Sequence, residues 1–216
     1  MFVSCWSAKG GSGTTVVAAA LSLLLGRVAP GGGLLVDLAG DAPAALGLGE
    51  LTGPGARTWL GAEATPPDAL ARLEVPAVEG LHLLPAGSPS GPLRSERAAL
   101  LASLLAADAR AVVVDCGPLD SPAAITLAGR ATISLLVLRP CYLALRRAQA
   151  APIRPSGVVL VSEPGRALGR ADVEAVLGVP VRAVVPWDPA VARCVDAGLL
   201  ARRLPRLLER SLRRAA

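Results

Sequence analysis

The chain has 216 residues, 52% of them hydrophobic and only 2% aromatic, which fits one globular domain with a core of Ala, Val and Leu. The four cysteines, Cys5, Cys116, Cys141 and Cys194, form no Cys-x-x-Cys pair and have only His82 beside them, so free thiols in a reducing cytosol are expected and a zinc site is not. The formal net charge is +5, and all of it lies in residues 202–216, where six arginines face the single acid Glu209.

Residues 2–6 predict a first strand, and the segment Lys9-Gly10-Gly11-Ser12-Gly13-Thr14-Thr15 follows it. Lys9 is the only lysine; the other 21 basic residues are arginine, a bias that suits a GC-rich genome and weakens the case that every arginine is functional. A glycine-rich turn between a strand and a helix, here 14–26, is the design of a phosphate-binding loop. Its backbone N–H groups point at an anion and the helix N-terminus adds positive potential. The N–H groups of Gly10 through Thr15 would wrap a polyphosphate, and Thr15 holds the place of the hydroxyl that ligates Mg²⁺. The usual pattern has lysine directly before that hydroxyl residue, and Thr14 stands there instead. The plainer alternative is a glycine turn that only joins a strand to a helix. The apolar stretch 16–25 is not read as a signal peptide, because a glycine loop rather than a basic segment precedes it. It is also far short of the roughly 20 residues that span a bilayer. A cytoplasmic place is expected.

Further along, 34–37 is a short apolar run ending in Asp37, typical of a buried parallel strand. Residues 40–80 are rich in Gly and Pro, with short helical pieces expected near 42–46 and 68–73. A strand at 81–84 leads into a Pro/Ser/Gly loop and a helix at 95–107 with Ser95 as N-cap. The run 111–115 is the clearest buried strand and again ends in a carboxylate, Asp115. Strands at 133–138, 158–161 and 181–185 alternate with helices near 141–150, 170–177 and 189–198. This alternation predicts an α/β fold over 1–216: a doubly wound, mostly parallel sheet with helices on both faces. Ligands of such sheets bind at the carboxyl ends of the strands. The glycine loop, Asp37 and Asp115 all fall there. Asp115 would hold Mg²⁺ through water, in the manner of a Walker-B acid, or cap a turn. Asp37 would orient the same metal or an attacking water, or likewise cap a turn.

The segment Ser7-Ala8-Lys9-Gly10-Gly11-Ser12-Gly13-Thr14-Thr15 resembles the deviant Walker A motif of the MinD/ParA ATPases. The resemblance covers nearly the whole chain: Val112-Val113-Val114-Asp115-Cys116-Gly117-Pro118 is similar to the family's Walker-B segment, Leu136-Val137-Leu138-Arg139-Pro140 to its next strand, and Val185-Pro186-Trp187-Asp188, with Val191 and Gly198, to the closing segment that flanks the base. It implies a P-loop NTPase fold binding ATP or ADP with Mg²⁺, with Pro186 and Asp188 beside the base. It also implies a nucleotide-linked homodimer in which Lys9 reaches across as a catalytic group to the partner's nucleotide. Members position division, partition or pilus machinery. The pilus-localising members called TadZ or CpaE are similar in flavour, although they usually carry an N-terminal receiver-like domain with no counterpart here.

Three departures qualify the resemblance. Thr14 replaces the phosphate lysine, Ala39 stands where many members have a catalytic aspartate with Asp41 out of register, and Glu163 stands where an asparagine often reads adenine. Losing one charge-assisted hydrogen bond of about 1.5–3 kcal/mol lowers affinity by roughly ten- to 150-fold. Weak or absent hydrolysis is therefore expected. A nucleotide-free structural pseudo-ATPase and a DNA-partition ATPase are the alternatives.

The tail predicts a basic helix within 202–216, with Pro205 at its first position, Leu204, Leu207, Leu208 and Leu212 on one side, and Arg203, Arg206, Arg210 and Arg213 on the other. Two readings stand: an amphipathic helix on an anionic membrane surface, peripheral at its inner face, or a final helix docked on the sheet with its arginines solvated. Nonspecific DNA binding is a third, weaker option.

Overall fold

The computed structural model describes residues 1–63, 66–88 and 91–215. Part of the Pro/Ser/Gly loop expected after Gly87, at 89–90, and the last residue of the expected 1–216 domain and tail lie outside them.

In chain order the elements are β1 (Phe2–Ser7), α1 (Thr14–Val28), β2 (Gly33–Asp37), α2 (Ala42–Leu46), α3 (Ala56–Gly61), β3 (Val75–Val78), β4 (Leu81–Leu84), α4 (Ser95–Ala107), β5 (Ala111–Pro118), α5 (Pro122–Arg130), β6 (Ile133–Leu138), α6 (Tyr142–Gln149), β7 (Gly157–Ser162), α7 (Arg170–Leu177), β8 (Val181–Pro186), α8 (Pro189–Asp196) and α9 (Arg206–Leu212). The strands form one eight-stranded sheet in the order β3-β4-β2-β5-β1-β6-β7-β8. Every pairing is parallel except β3 with β4. This is the doubly wound, mostly parallel sheet that the sequence predicts.

The strands are apolar along their length because both faces are covered. Alternate residues point to opposite sides. Phe2, Trp6, Leu34, Val36, Val112 and Val114 face one layer, built by α3 to α7. Val3, Cys5, Leu35, Val113, Leu135 and Val137 face the other, built by α1, α2 and α9. Trp6 is wholly buried, and its indole N–H donates to Ser134 Oγ at 2.9 Å, so its polar atom is satisfied inside the sheet layer.

Several local expectations are corrected. The 68–73 piece is two 3₁₀ turns, Pro67–Ala69 and Ala71–Leu73, whose bonds reach back three residues, Ala69 N–H to Pro66 O and Leu73 N–H to Leu70 O, as is usual in such short pieces. Ser95 is the first helical residue, and Arg94 takes the N-cap position. Helices α3 and α5 and the antiparallel edge strand β3 were not foreseen. The tail helix is Arg206–Leu212, shorter than 202–216, with Pro205 at the N-cap. It packs on β8 and α1. Leu208, Leu212 and Ala215 are buried, Leu204 and Leu207 half-buried, and Arg203, Arg206, Arg210 and Arg213 exposed. The apolar side of the tail is thus docked on the core, not free for lipid. No helix of the described residues is long and apolar enough to cross a membrane.

Candidate functional site

The strand order sets β1 between β5 and β6, with β2 next to β5. Asp37 and Asp115 are partners in register on β2 and β5, so two carboxylates sit side by side at the carboxyl ends, beside the loop that leaves β1. The agreement among loop and acids seen in the sequence is therefore spatial.

The loop closes on itself. Ser12 Oγ donates to the Lys9 carbonyl at 3.0 Å, and Gly13 adopts φ 83°, left-handed backbone that favours glycine, as the N-cap of α1. Helix α1 has no side-chain cap and no acidic residue in its first turn. Its first N–H groups therefore lack an intrahelical acceptor and point at the space above the loop. Side chains added at Gly10, Gly11 or Gly13 would meet nothing within 4 Å, so the space over all three is open. Thr14 is 7% exposed and begins the helix; Thr15 follows, half-buried.

A cavity of about 380 Å³ lies over this loop, lined by Gly10 to Thr15 and closed by Ala39, Asp41, Arg57, Gly117 and Asp120. Lys9 does not line it and is half-buried. A second, largely apolar cavity of about 270 Å³ adjoins, lined by Val161, Val185, Pro186, Trp187, Asp188 and Leu208 among others. Gly13 and Val16 line both. Asp188 also caps α8, accepting from Ala190 N–H at 2.7 Å, while Pro186 and the 46% exposed Trp187 form the outer rim.

The two acids differ in what they have left to offer. Asp37 Oδ1 accepts from the N–H groups of Ala39 (2.8 Å) and Gly40 (2.7 Å), and Oδ2 from Ala42 (3.1 Å). Burial raises its pKa, against those three bonds and the Arg57 charge. These are the bonds of a turn cap, one of the two roles left open for Asp37. Asp115 is buried, with Oδ1 accepting from Gly117 N–H at 3.0 Å. Its pKa is pushed up to about 6, first by burial and then by the Asp37 charge and, more weakly, Asp41. The Thr15 hydroxyl lies close enough to favour the ionised form, yet Oδ2 of Asp115 has no hydrogen bond of normal geometry. A buried carboxylate oxygen without a partner, beside a helix-start hydroxyl, fits a divalent cation.

Glu163 does not line the apolar cavity. It is ion-paired with Arg139 and with Arg166, whose Nε donates to Oε2 at 2.6 Å. The sequence reading missed Arg57 and Asp120 as cavity residues, and it set Asp41 aside on register alone. All three lie in or beside short, glycine- and proline-flanked stretches without a motif of their own.

A phosphate-type loop, a helix N-terminus and strand-end acids on a doubly wound sheet define a P-loop class of α/β protein. No protein-family model matches the sequence, and no curated protein matches it. Solved structures do. A ParA family ATPase from Chlorobium tepidum superposes with a TM-score of 0.76 at 21% identity, over 97% of this chain and 95% of that one. The cell division ATPase MinD of Pyrococcus furiosus gives 0.75 at 22%, over 99% and 98%. The septum site-determining protein MinD of Pyrococcus horikoshii, complexed with Mg-ADP, gives 0.71 at 22%, over 91% and 85%. The chain has the MinD/ParA P-loop NTPase fold.

Proposed function

We propose that this protein is a MinD/ParA-type nucleotide-binding factor that positions or assembles other machinery through an ATP-linked homodimer, with weak hydrolysis. The observation that carries the reading is the pair of cavities meeting at Gly13 and Val16: a polar one over a ring of backbone N–H groups and an apolar slot beside it. That shape suits a nucleotide, phosphates on one side and base on the other. The Pyrococcus horikoshii protein of the same fold was solved with Mg-ADP, which supports the choice of ligand.

In this reading the N–H groups of Gly10 to Thr15 hold the phosphate oxygens, and Val16, Val185, Pro186 and Trp187 sandwich the base, with Asp188 at its edge. Thr15 and Asp115 hold Mg²⁺, which when bound neutralises charge on the phosphates. Asp37 keeps the loop 39–42 in place by its three N–H bonds and so positions the cavity wall. Ala39 offers no carboxylate to orient water, so hydrolysis is slow. The partner is a protein of pilus, secretion or division machinery. The exposed arginines 203, 206, 210 and 213 form a face for an acidic partner or an anionic membrane, with DNA a weaker third option.

The test is thermal. Millimolar ATP with Mg²⁺ should raise the melting temperature of the wild type, since a ligand of the native state stabilises it. Gly13→Val should abolish the rise, because its side chain enters the open space where phosphate must approach, at a φ that valine resists. A wild type without any shift would instead support the pseudo-ATPase reading.

A further inference from the structure

The polar cavity has a charge problem that the fold alone does not solve. Asp41 and Asp120 line it, and Asp37 and Asp115, in register on adjacent strand ends, immediately precede the lining residues Leu38 and Cys116. The loop lysine that would offset a triphosphate is Thr14, and Lys9 lies outside the lining. Among the described residues that line the cavity, Arg57 is the one cation.

Arg57 is also held in a defined pose. Its backbone N–H donates to the Ala86 carbonyl at 2.8 Å, which fixes the first turn of α3. Its Nε donates to the Leu38 carbonyl at 2.8 Å, and Nη2 donates to the Leu38 and Ala39 carbonyls, the latter at 3.1 Å. Nη1 has no hydrogen-bond partner among the described residues. An arginine anchored by one edge loses little side-chain entropy on binding and keeps donors in a fixed fork, the geometry that suits phosphate oxygens. Leu38 and Ala39 belong to the same segment that Asp37 caps. The guanidinium is therefore tied to the loop that faces the phosphate-binding turn.

We infer that Arg57 takes the place of the missing loop lysine: from α3, across the cavity, it supplies the positive charge that binds the terminal phosphates of a nucleoside triphosphate. The inference rests on the nucleotide reading above. It assigns Arg57 a ligand contact beyond its support of the Leu38 and Ala39 carbonyls.

Calorimetric affinity for Mg-ATP tests it in four forms of the full chain: wild type, Arg57→Gln, Arg57→Lys, and Arg57→Gln combined with Thr14→Lys. Glutamine keeps an amide donor for the Leu38 carbonyl and removes the charge. Nucleotide-free melting temperatures serve as the fold check. Arg57→Gln should bind Mg-ATP roughly ten- to 150-fold more weakly, the worth of one charged hydrogen bond. Arg57→Lys should lie between the two. Adding Thr14→Lys should recover most of the loss, because the lysine returns charge to the same phosphates from the opposite wall. A merely structural arginine would instead show its loss in the nucleotide-free melting temperature of Arg57→Gln. Arg57→Gln binding as tightly as wild type overturns the inference, as does a loss that Thr14→Lys leaves unrepaired. A wild type that binds no Mg-ATP fails the nucleotide reading itself, a result distinct from tight binding that ignores Arg57.

Discussion

Asp115 is a carboxylate whose protein surroundings disfavour its charge. Burial and the neighbouring Asp37 lift its pKa from 3.8 to about 6. Between about pH 4 and pH 6 the native state takes up a proton that the unfolded chain has lost, so this group's contribution to stability falls as pH rises through that window. At pH 7 the native carboxylate is ionised at a cost of about 1–3 kcal/mol. Asp115→Asn keeps an acceptor for Gly117 N–H and removes the buried charge. Its nucleotide-free melting temperature at pH 7 should therefore exceed that of wild type. The difference should shrink on titration to pH 4, where the wild-type group is neutral. The same substitution should remove the part of ATP stabilisation that requires Mg²⁺. A variant less stable than wild type at pH 7 would mean that Asp115 is satisfied by a contact other than an ion. The acid at the end of β5 was legible in the sequence because a Val-Val-Val run identifies a buried strand and the last residue lies at its carboxyl end. For Asp37 the sequence offered a turn cap as one of two roles, but not that three backbone N–H groups would fill it, since the turn 39–42 owes its shape to glycine and to contacts with α3.

The elements divide in the same way. Long parallel strands and the helices between β6 and β8 follow from uninterrupted apolar runs and their spacing, and 170–177 is found at its predicted bounds. The short pieces depend on distant partners. Helix α3 is held by Ala56 N–H on Pro85 O at 2.7 Å and by Arg57 N–H on Ala86 O, and a Cβ at Gly55 would sit 2.1 Å from Pro85 O. Only the folded approach of residues 85–86 makes that helix, so no local pattern announces it, and Arg57 stayed hidden with it. The tail is the opposite case: its leucine periodicity was readable, and packing decides which reading holds. Leu208 is 1% exposed, touches the core of α1 and β8, and also lines the apolar cavity. Leu208→Ala should cost about 2–5 kcal/mol of stability and also weaken nucleotide binding by opening the cavity wall. Replacing Arg203, Arg206, Arg210 and Arg213 together by serine should leave the melting temperature nearly unchanged, since exposed side chains contribute little. If those arginines meet an anionic surface, the serine variant alone should lose salt-sensitive binding to anionic liposomes. A large drop in its melting temperature would instead show that the basic face is part of the fold.

For the whole molecule, the question is what lies across the site. The cavity over the loop opens to solvent on the side of the exposed Gly10, Gly11 and Gly13, and Lys9, the single lysine, belongs to the same loop without lining it. Among the described residues Lys9 makes no ion pair. In the proposed dimer, a loop lysine that does not line its own subunit's cavity meets charge on a second copy, as the resemblance of its motif implies. Two copies joined face to face would then each offer Lys9 to the other's phosphates. In that arrangement Lys9 stabilises the dimer only when a triphosphate is bound, and it adds little to the monomer's own affinity. Sedimentation of wild type and Lys9→Ala, with and without ATP and Mg²⁺, separates these terms. Wild type should shift from monomer to dimer with ATP, while Lys9→Ala stays monomeric with an unchanged nucleotide-free melting temperature. Binding of ATP by the monomeric variant should survive, because Gly10 to Thr15 and Arg57 remain. If Lys9→Ala loses ATP binding outright, the lysine serves its own subunit, and the open side of the cavity then has no need of a second copy. If wild type stays monomeric at saturating ATP, the dimer model fails, and a different protein must cover that side.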